Sequence, residues 1–384
     1  MSLGRRDCLR SMNKTKIPNL QRQVQEAIDE MVEAGTERAL QVAVYHRGVQ
    51  VVDAVAGLAD PATGRRMSSE TPVYCYSVCK AAASTLMHVL AERGAFGYGT
   101  KVAEVWPEFG ARGKAAVSIR QVLNHTAGVP GIPLTTTIED LCDWDKMCAA
   151  IADAELWWEP GTKIGYHAYT FGYIVGEIIR RVTGQPLSRV LNEELAGPLG
   201  IAKELYFGMP RAEHGRLAAL EDAPLPPNFQ MPAMPPDLPM FKAAPMSLMP
   251  NAAFGNRPDT LAADIPAGGK TSARAIARMY AALLGEVDGV RLIPAARLRE
   301  ATTAPVSGVD EVFGMPTTWA LGYSVGAPGQ SSDTAFGVGG VGGSFAYGDS
   351  KTGVAFALTK NRLTQDFSAA ERVIQLVTSS LSTA

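Results

Sequence analysis

The chain has 384 residues, 46% of them hydrophobic and 19% charged, a mixture that fills a folded interior and excludes disorder. Its 36 Lys and Arg against 38 Asp and Glu leave a formal charge of −2 with no long run of one sign. That excludes a built-in field for nucleic acid or an anionic membrane and points to small-molecule chemistry.

In chain order, the N-terminus is basic but lacks the apolar stretch of a secretory signal, and no segment has the ~18 uninterrupted apolar residues of a membrane span. A cytoplasmic protein with a flexible segment over residues 1–17 is expected. Apolar spacing over 20–35 predicts a helix ended by Gly35, and 39–57 reads as two strands joined at Arg47-Gly48. The Ala- and Leu-rich stretch 77–94 opens on Ser and closes on Gly, which predicts a helix beginning near Ser77.

From about 95 to 220 helical segments alternate with turns and no strand of any length, so a mainly helical lobe is inserted after the first sheet strands. Residues 222–250 are dense in Pro and carry Met231, Met234, Met240, Met246 and Met249. They predict an irregular surface loop, a candidate lid or pocket wall. A helix over 271–285, four strands between 319 and 361 and a closing helix follow. The fold class is thus α+β: an antiparallel sheet flanked by helices, with an α/β lobe from 18–94 and 265–384 and a helical lobe over 95–264.

The five cysteines, Cys8, Cys75, Cys79, Cys142 and Cys148, have neither disulfide-framework nor zinc-site spacing, and read as small buried thiols. No metal site or cofactor is called for. Ser-x-x-Lys occurs at Ser11–Lys14, in a polar terminal stretch, and at Ser77–Lys80, opening a strong helix. Residues three apart on a helix share a face, so the Lys80 amine can reach the Ser77 hydroxyl and take its proton. The Ser77 N–H, unpaired at a helix start, can point at a developing oxyanion.

The runs "YSVCKAAASTLMHVLAERG", "VAEVWPEFGARGKAAVSIRQVLNHTAGVP", "EPGTKIGYHAYTFGYIVGEIIRRVTGQPL" and "ELAGPLGI" resemble, in that order, the serine β-lactamase-like family. That family includes class C β-lactamases, D-peptidases, family VIII carboxylesterases and related acyltransferases. The resemblance covers roughly residues 20–365. It implies that Ser77 is the acyl-accepting nucleophile, Lys80 its base partner, and Tyr166 the tyrosine of the family's Y-x-N element, passing a proton to the leaving group. Where β-lactamases carry Asn, this chain has Ala168.

Two triplets compete for the family's third element. Relatives among the esterases carry W-G-G or H-G-G there, and Val338-Gly339-Gly340 fits that register. Lys351-Thr352-Gly353 reads instead as a surface hairpin turn. The glycines let substrate approach the backbone, and the Val341 N–H completes the oxyanion hole opposite Ser77. With Val338 in place of a cation, neutral acyl groups are favoured.

Other candidates carry less chemistry. Asp264–Thr271 ends like a phosphate-binding loop but reads as a cap for the helix from 272. His125 belongs to a structural turn near the site, and His167, beside Tyr166, is a candidate pocket-lining residue. The expected function is acyl transfer from an ester donor through acyl-Ser77, either to water or to an alcohol or amine acceptor. The rivals are a β-lactamase or D-peptidase, and a catalytically silent binding homologue. The partners are small molecules, with no nucleic acid and no membrane.

Overall fold

A computed structural model describes residues 16–224, 235 and 237–381. Expectations for residues 1–15, including Cys8 and the Ser11–Lys14 motif, and for Met231 and Met234 lie outside the described residues. The strands are β1 (Ala39–His46), β2 (Val49–Asp60), β3 (Arg65–Arg66), β4 (Val73–Tyr74), β5 (Leu205–Tyr206), β6 (Glu221–Asp222) and β7 (Lys270–Thr271). They continue with β8 (Val306–Val309), β9 (Pro316–Trp319), β10 (Ser324–Val325), β11 (Ala335–Gly339), β12 (Phe345–Asp349), β13 (Val354–Lys360) and β14 (Arg362–Leu363). Nine of them form one antiparallel sheet in the order β3-β2-β1-β13-β12-β11-β10-β9-β8. Short sheets β4-β7-β5 and β14-β6 complete the set.

Period-two alternation sorts the two faces of this sheet. Leu40, Val42 and Val44 of β1 point to an outer layer with Leu20, Val24 and Ile28 of the helix Lys16–Glu33 and Val373 and Ile374 of the helix Ser368–Leu381. Each such side chain contributes about 1.5–3 kcal/mol on burial, which orders a terminal helix that is marginal by itself. The opposite face carries Ala39, Ala43, Ala355 and Ala357, and the helix Ala273–Leu284 that packs there is itself rich in buried Ala. Small residues on both sides let helix and sheet backbones come close.

Deeper in that inner layer lies the helix Lys80–Glu92, with every residue from Lys80 to Ala91 buried. Its polar side chains are paired, as burial demands. Ser84 Oγ donates to the Lys80 and Gly322 carbonyls, Thr85 Oγ1 donates to the Ala81 carbonyl and lies 2.9 Å from Tyr323 Oη, and His88 bridges Tyr98 Oη and the Leu321 carbonyl. Burial lowers the His88 imidazole pKa to about 4, so it is neutral.

Three expectations are corrected. The α-helix begins at Lys80, and Ser77 lies in a preceding 3-10 turn, Tyr76–Cys79, whose cap makes no side-chain hydrogen bond. Tyr76, the first residue of that turn, has a left-handed backbone at φ 46°. The single strand expected from 319 splits at Gly322 (φ 84°), where any Cβ would lie 2.2 Å from Ser84 Oγ, leaving β9 and β10 on either side. Finally, within 222–250 the described part is not wholly irregular. Pro239 opens the helix Pro239–Ala243 at its first turn, where a missing N–H costs nothing, and a 3-10 turn follows at Met246–Leu248.

Among the described residues no helix is long and apolar enough to cross a membrane.

Candidate active site

Lys80 opens its helix directly after the turn that carries Ser77, and its Nζ lies 2.8 Å from Ser77 Oγ. The turn is held rigidly. The Cys75 N–H donates to the Gly269 carbonyl, and Tyr76 Oη donates to the Asn251 carbonyl at 2.5 Å while its ring lies edge-on to Tyr74. Lys80 is 1% exposed, and no carboxylate forms an ion pair with it among the described residues.

Tyr166 closes the other side of this amine, whose Nζ is 4.9 Å from the ring centroid. The ring is stacked on Trp319 at 5.4 Å and flanked by His125 at 4.9 Å and Phe313 at 6.0 Å. Its backbone N–H donates to Asp310 Oδ2, and Asp310 Oδ1 accepts the Val312 and Phe313 N–H groups. One buried carboxylate therefore ties the Tyr166 turn to the loop between β8 and β9. No sequence signal marked Asp310, Phe313 or Trp319 as neighbours of the site.

The two histidines stand behind this wall. His125 is fully buried at φ 60°, and its Nδ1 accepts the His167 N–H. Burial first, then His167 and Lys80, hold its pKa well below the imidazole range, so it packs as a neutral ring. The expectation that His167 lines the pocket is corrected. It is 1% exposed, its Nε2 accepts the Val129 N–H, and its Nδ1 bonds the Gly165 carbonyl. Burial lowers its pKa to about 4. The Ala168 N–H donates to the Tyr166 carbonyl, a tight turn centred on His167; Tyr166 lines the cavity while the His167 ring is buried in the core.

The end of β11 lies against the Ser77 turn. A Cβ on Gly340 would sit 2.2 Å from the Cys75 carbonyl oxygen and 3.1 Å from Val78 Cγ2, so only glycine lets the strand approach this closely. A Cβ on Gly339 would lie 2.8 Å from the Phe367 ring, a side chain and not backbone. The Gly340 N–H donates to the Ser344 carbonyl and the Gly343 N–H to the Gly340 carbonyl, a tight turn in which the Val341 N–H has no acceptor among the described residues. The Ser77 N–H likewise has none among the described residues. Ser77, Tyr166, Val338, Gly339, Gly340 and Val341 all line one open cavity of about 650 Å³.

Lys351-Thr352-Gly353 stands elsewhere, in the turn between β12 and β13, with Gly353 at φ 74° and Thr352 Oγ1 donating to Asp349 Oδ2. The length of β12 separates it from the glycine turn, about 15 Å at the rise of a strand. Lys270 is no phosphate ligand either. It is buried, donates to the Phe207 and Thr260 carbonyls, and burial brings its pKa down to about 7, while Ser272 caps the next helix.

A second, more enclosed cavity of about 140 Å³ meets the first at Ser77, Tyr166, Phe313 and Val341. Neither lining contains a Lys or Arg among the described residues, and the charged side chains present are Asp310 and Asp366. The same residues hold no cluster of His, Cys, Asp and Glu suited to a metal ion.

Comparison with known proteins places this geometry among relatives. A family model described as Beta-lactamase matches residues 24–379. The chain is 37% identical over 339 residues to the esterase/beta-lactamase LipL of Mycobacterium tuberculosis, covering 84% of this chain and 76% of LipL. Its fold superimposes on a crystal structure of a family VIII carboxylesterase with a TM-score of 0.86 and 33% identity, covering 94% of this chain and 98% of the other. A penicillin-binding protein homologue from Caulobacter crescentus matches with a TM-score of 0.83 and 32% identity, over 95% and 98% of the two chains.

Proposed function

Since the chain belongs to the Beta-lactamase family and is a serine hydrolase or acyltransferase, we propose that its substrates are uncharged carboxylic esters and that it acts through an acyl-Ser77 intermediate. The observation that carries this reading is the 2.8 Å contact between Lys80 Nζ and Ser77 Oγ at the floor of an open cavity. Ser77 Oγ attacks the ester carbonyl carbon as its proton passes to Lys80. The carbonyl oxygen takes up the negative charge beside the Ser77 and Val341 N–H groups, which have no acceptor among the described residues. Collapse breaks the bond to the alcohol oxygen, which receives a proton by way of Tyr166, and the alcohol leaves. Water then attacks the acyl carbonyl, its proton follows the reverse route, and the acid departs.

An alcohol or amine entering by the same path gives transfer in place of hydrolysis, with the same residues. Partition of a p-nitrophenyl ester between free acid and adduct, at rising concentrations of added alcohol or amine, measures which acceptor the site prefers. The primary test is covalent. A fluorophosphonate labels the parent and not Ser77→Ala, and labelling that survives the substitution removes the mechanism. A parent that neither labels nor turns over an ester is the silent homologue.

The same lining predicts poor β-lactam turnover. A penicillin or cephalosporin carries a carboxylate, and with no Lys or Arg lining either cavity among the described residues, Lys80 being engaged with Ser77, it forfeits a charged hydrogen bond worth about 1.5–3 kcal/mol. Nitrocefin is expected to show a kcat/KM about 10²-fold below that of p-nitrophenyl butanoate. Comparable values for the two would make the chain a β-lactamase.

A further inference from the structure

We propose that the enclosed cavity is the acyl pocket and that it selects unbranched or aryl acyl groups of about six carbons, while the open cleft holds the departing alcohol and the incoming acceptor. This rests on the ester reading above and names the half of the substrate that each cavity takes.

The two cavities share the residues around the nucleophile, so a carbonyl carbon on Ser77 Oγ stands at their junction with one substituent in each. The two halves of an ester have different careers. The acyl half stays attached from the first attack until deacylation, whereas the alcohol half must leave and water or another acceptor must arrive where it stood. Exchange requires the route to solvent, which is the cleft of about 650 Å³. Its lining of Thr317, Ser324, Gln365 and glycine backbone suits hydroxyl groups and water.

The enclosed cavity offers the converse. Its walls are the rings of Tyr74, Tyr76 and Tyr169, with Ala168, Met240 and Met249. The hydroxyls of Tyr76 and Tyr169 are occupied by the Asn251 and Leu248 carbonyls, so these two residues present ring carbon to the space. Those two bonds, with a third from the Ile132 N–H to the Ala243 carbonyl, fasten the roof segment of residues 239–254 over it. A mostly apolar chamber rewards an apolar group that fills it more than a polar one. Its volume of about 140 Å³ is close to the ~150 Å³ apolar cavity that accepts a benzene ring.

Two series of esters test this: acyl chains of two to twelve carbons on p-nitrophenol, and alcohols of increasing length on a butanoyl group. In the first, kcat/KM rises about fourfold per methylene, about 10²-fold between acetate and hexanoate, and falls for dodecanoate. Ala244→Phe, which fills the pocket, lowers the hexanoate-to-acetate ratio by at least about tenfold. Met249→Ala, which enlarges it, moves the optimum two or three carbons higher. Opposite shifts of a ratio separate pocket shape from misfolding, which depresses all substrates together. An acyl profile that neither variant moves, or an alcohol profile that moves in its place, overturns the assignment and leaves the esterase reading intact. Absence of turnover with every ester overturns both.

Discussion

Lys80→Met is expected to lower kcat for p-nitrophenyl butanoate by about 10⁴-fold or more, and the Ser77→Ala/Lys80→Met double variant to be no slower than Ser77→Ala alone. The two groups act as one unit. A serine hydroxyl is a weak nucleophile until its proton has somewhere to go, and a base without the serine has nothing to activate, so their losses do not add. What remains in each variant is binding and the backbone donors. Methionine is the informative replacement because it keeps the bulk of the buried stem, and no carboxylate is paired with Lys80 among the described residues to be left stranded. The melting temperature should therefore stay within a few degrees of the parent while kcat collapses. A Lys80→Met protein within tenfold of the parent rate would show that the proton leaves Ser77 by another route.

The part of this site that could be read from sequence is the part written in local spacing. Ser77 and Lys80 are three apart, and a helical continuation through Ala81–Ala83 puts them on one face whether the first turn is α or 3-10. The pair therefore stands on one face although the α-helix starts at Lys80 and not at Ser77. The glycine run at 339–343 was legible for a similar reason: several glycines beside a strand mark a backbone that something approaches closely, and here it is the Cys75 carbonyl.

What failed depended on direction or on distance along the chain. His167 adjoins Tyr166 in sequence, yet a tight turn centred on it carries its ring to the Val129 N–H and away from the cavity. Strand β8 was missed because, at the sheet edge, three of its four residues are exposed and its Val and Gly show no alternation. The enclosed cavity was hidden for a different reason. Tyr74, Leu141, Ala168, Met240 and Ile265 come from five separate segments, and only tertiary packing brings them to one space. The methionine-rich segment did hint at a wall, since Met240 and Met249 line the cavity, but it gave no sign of which cavity they would serve.

Gly340→Ala is expected to cost about 10²–10³-fold in kcat with little change in KM, the size of effect that follows loss of one oxyanion donor. The added methyl would start 2.2 Å from the Cys75 carbonyl oxygen, and that carbonyl cannot swing aside because the Val78 N–H donates to it within the turn that carries Ser77. The strand end must therefore move outward and take the Val341 N–H with it. Apart from Val341 the apolar walls stay in place, so the loss falls mainly on the step in which charge develops. Gly339→Ala supplies the comparison: its Cβ meets the Phe367 ring, a side chain that can turn, at 2.8 Å. Its penalty should be tenfold or less. Measured kcat and KM for both variants, with melting temperatures to confirm folding, decide the matter. Equal small losses at 339 and 340 would mean that the Val341 amide does not hold the oxyanion, and that the donor opposite Ser77 lies elsewhere along the cleft.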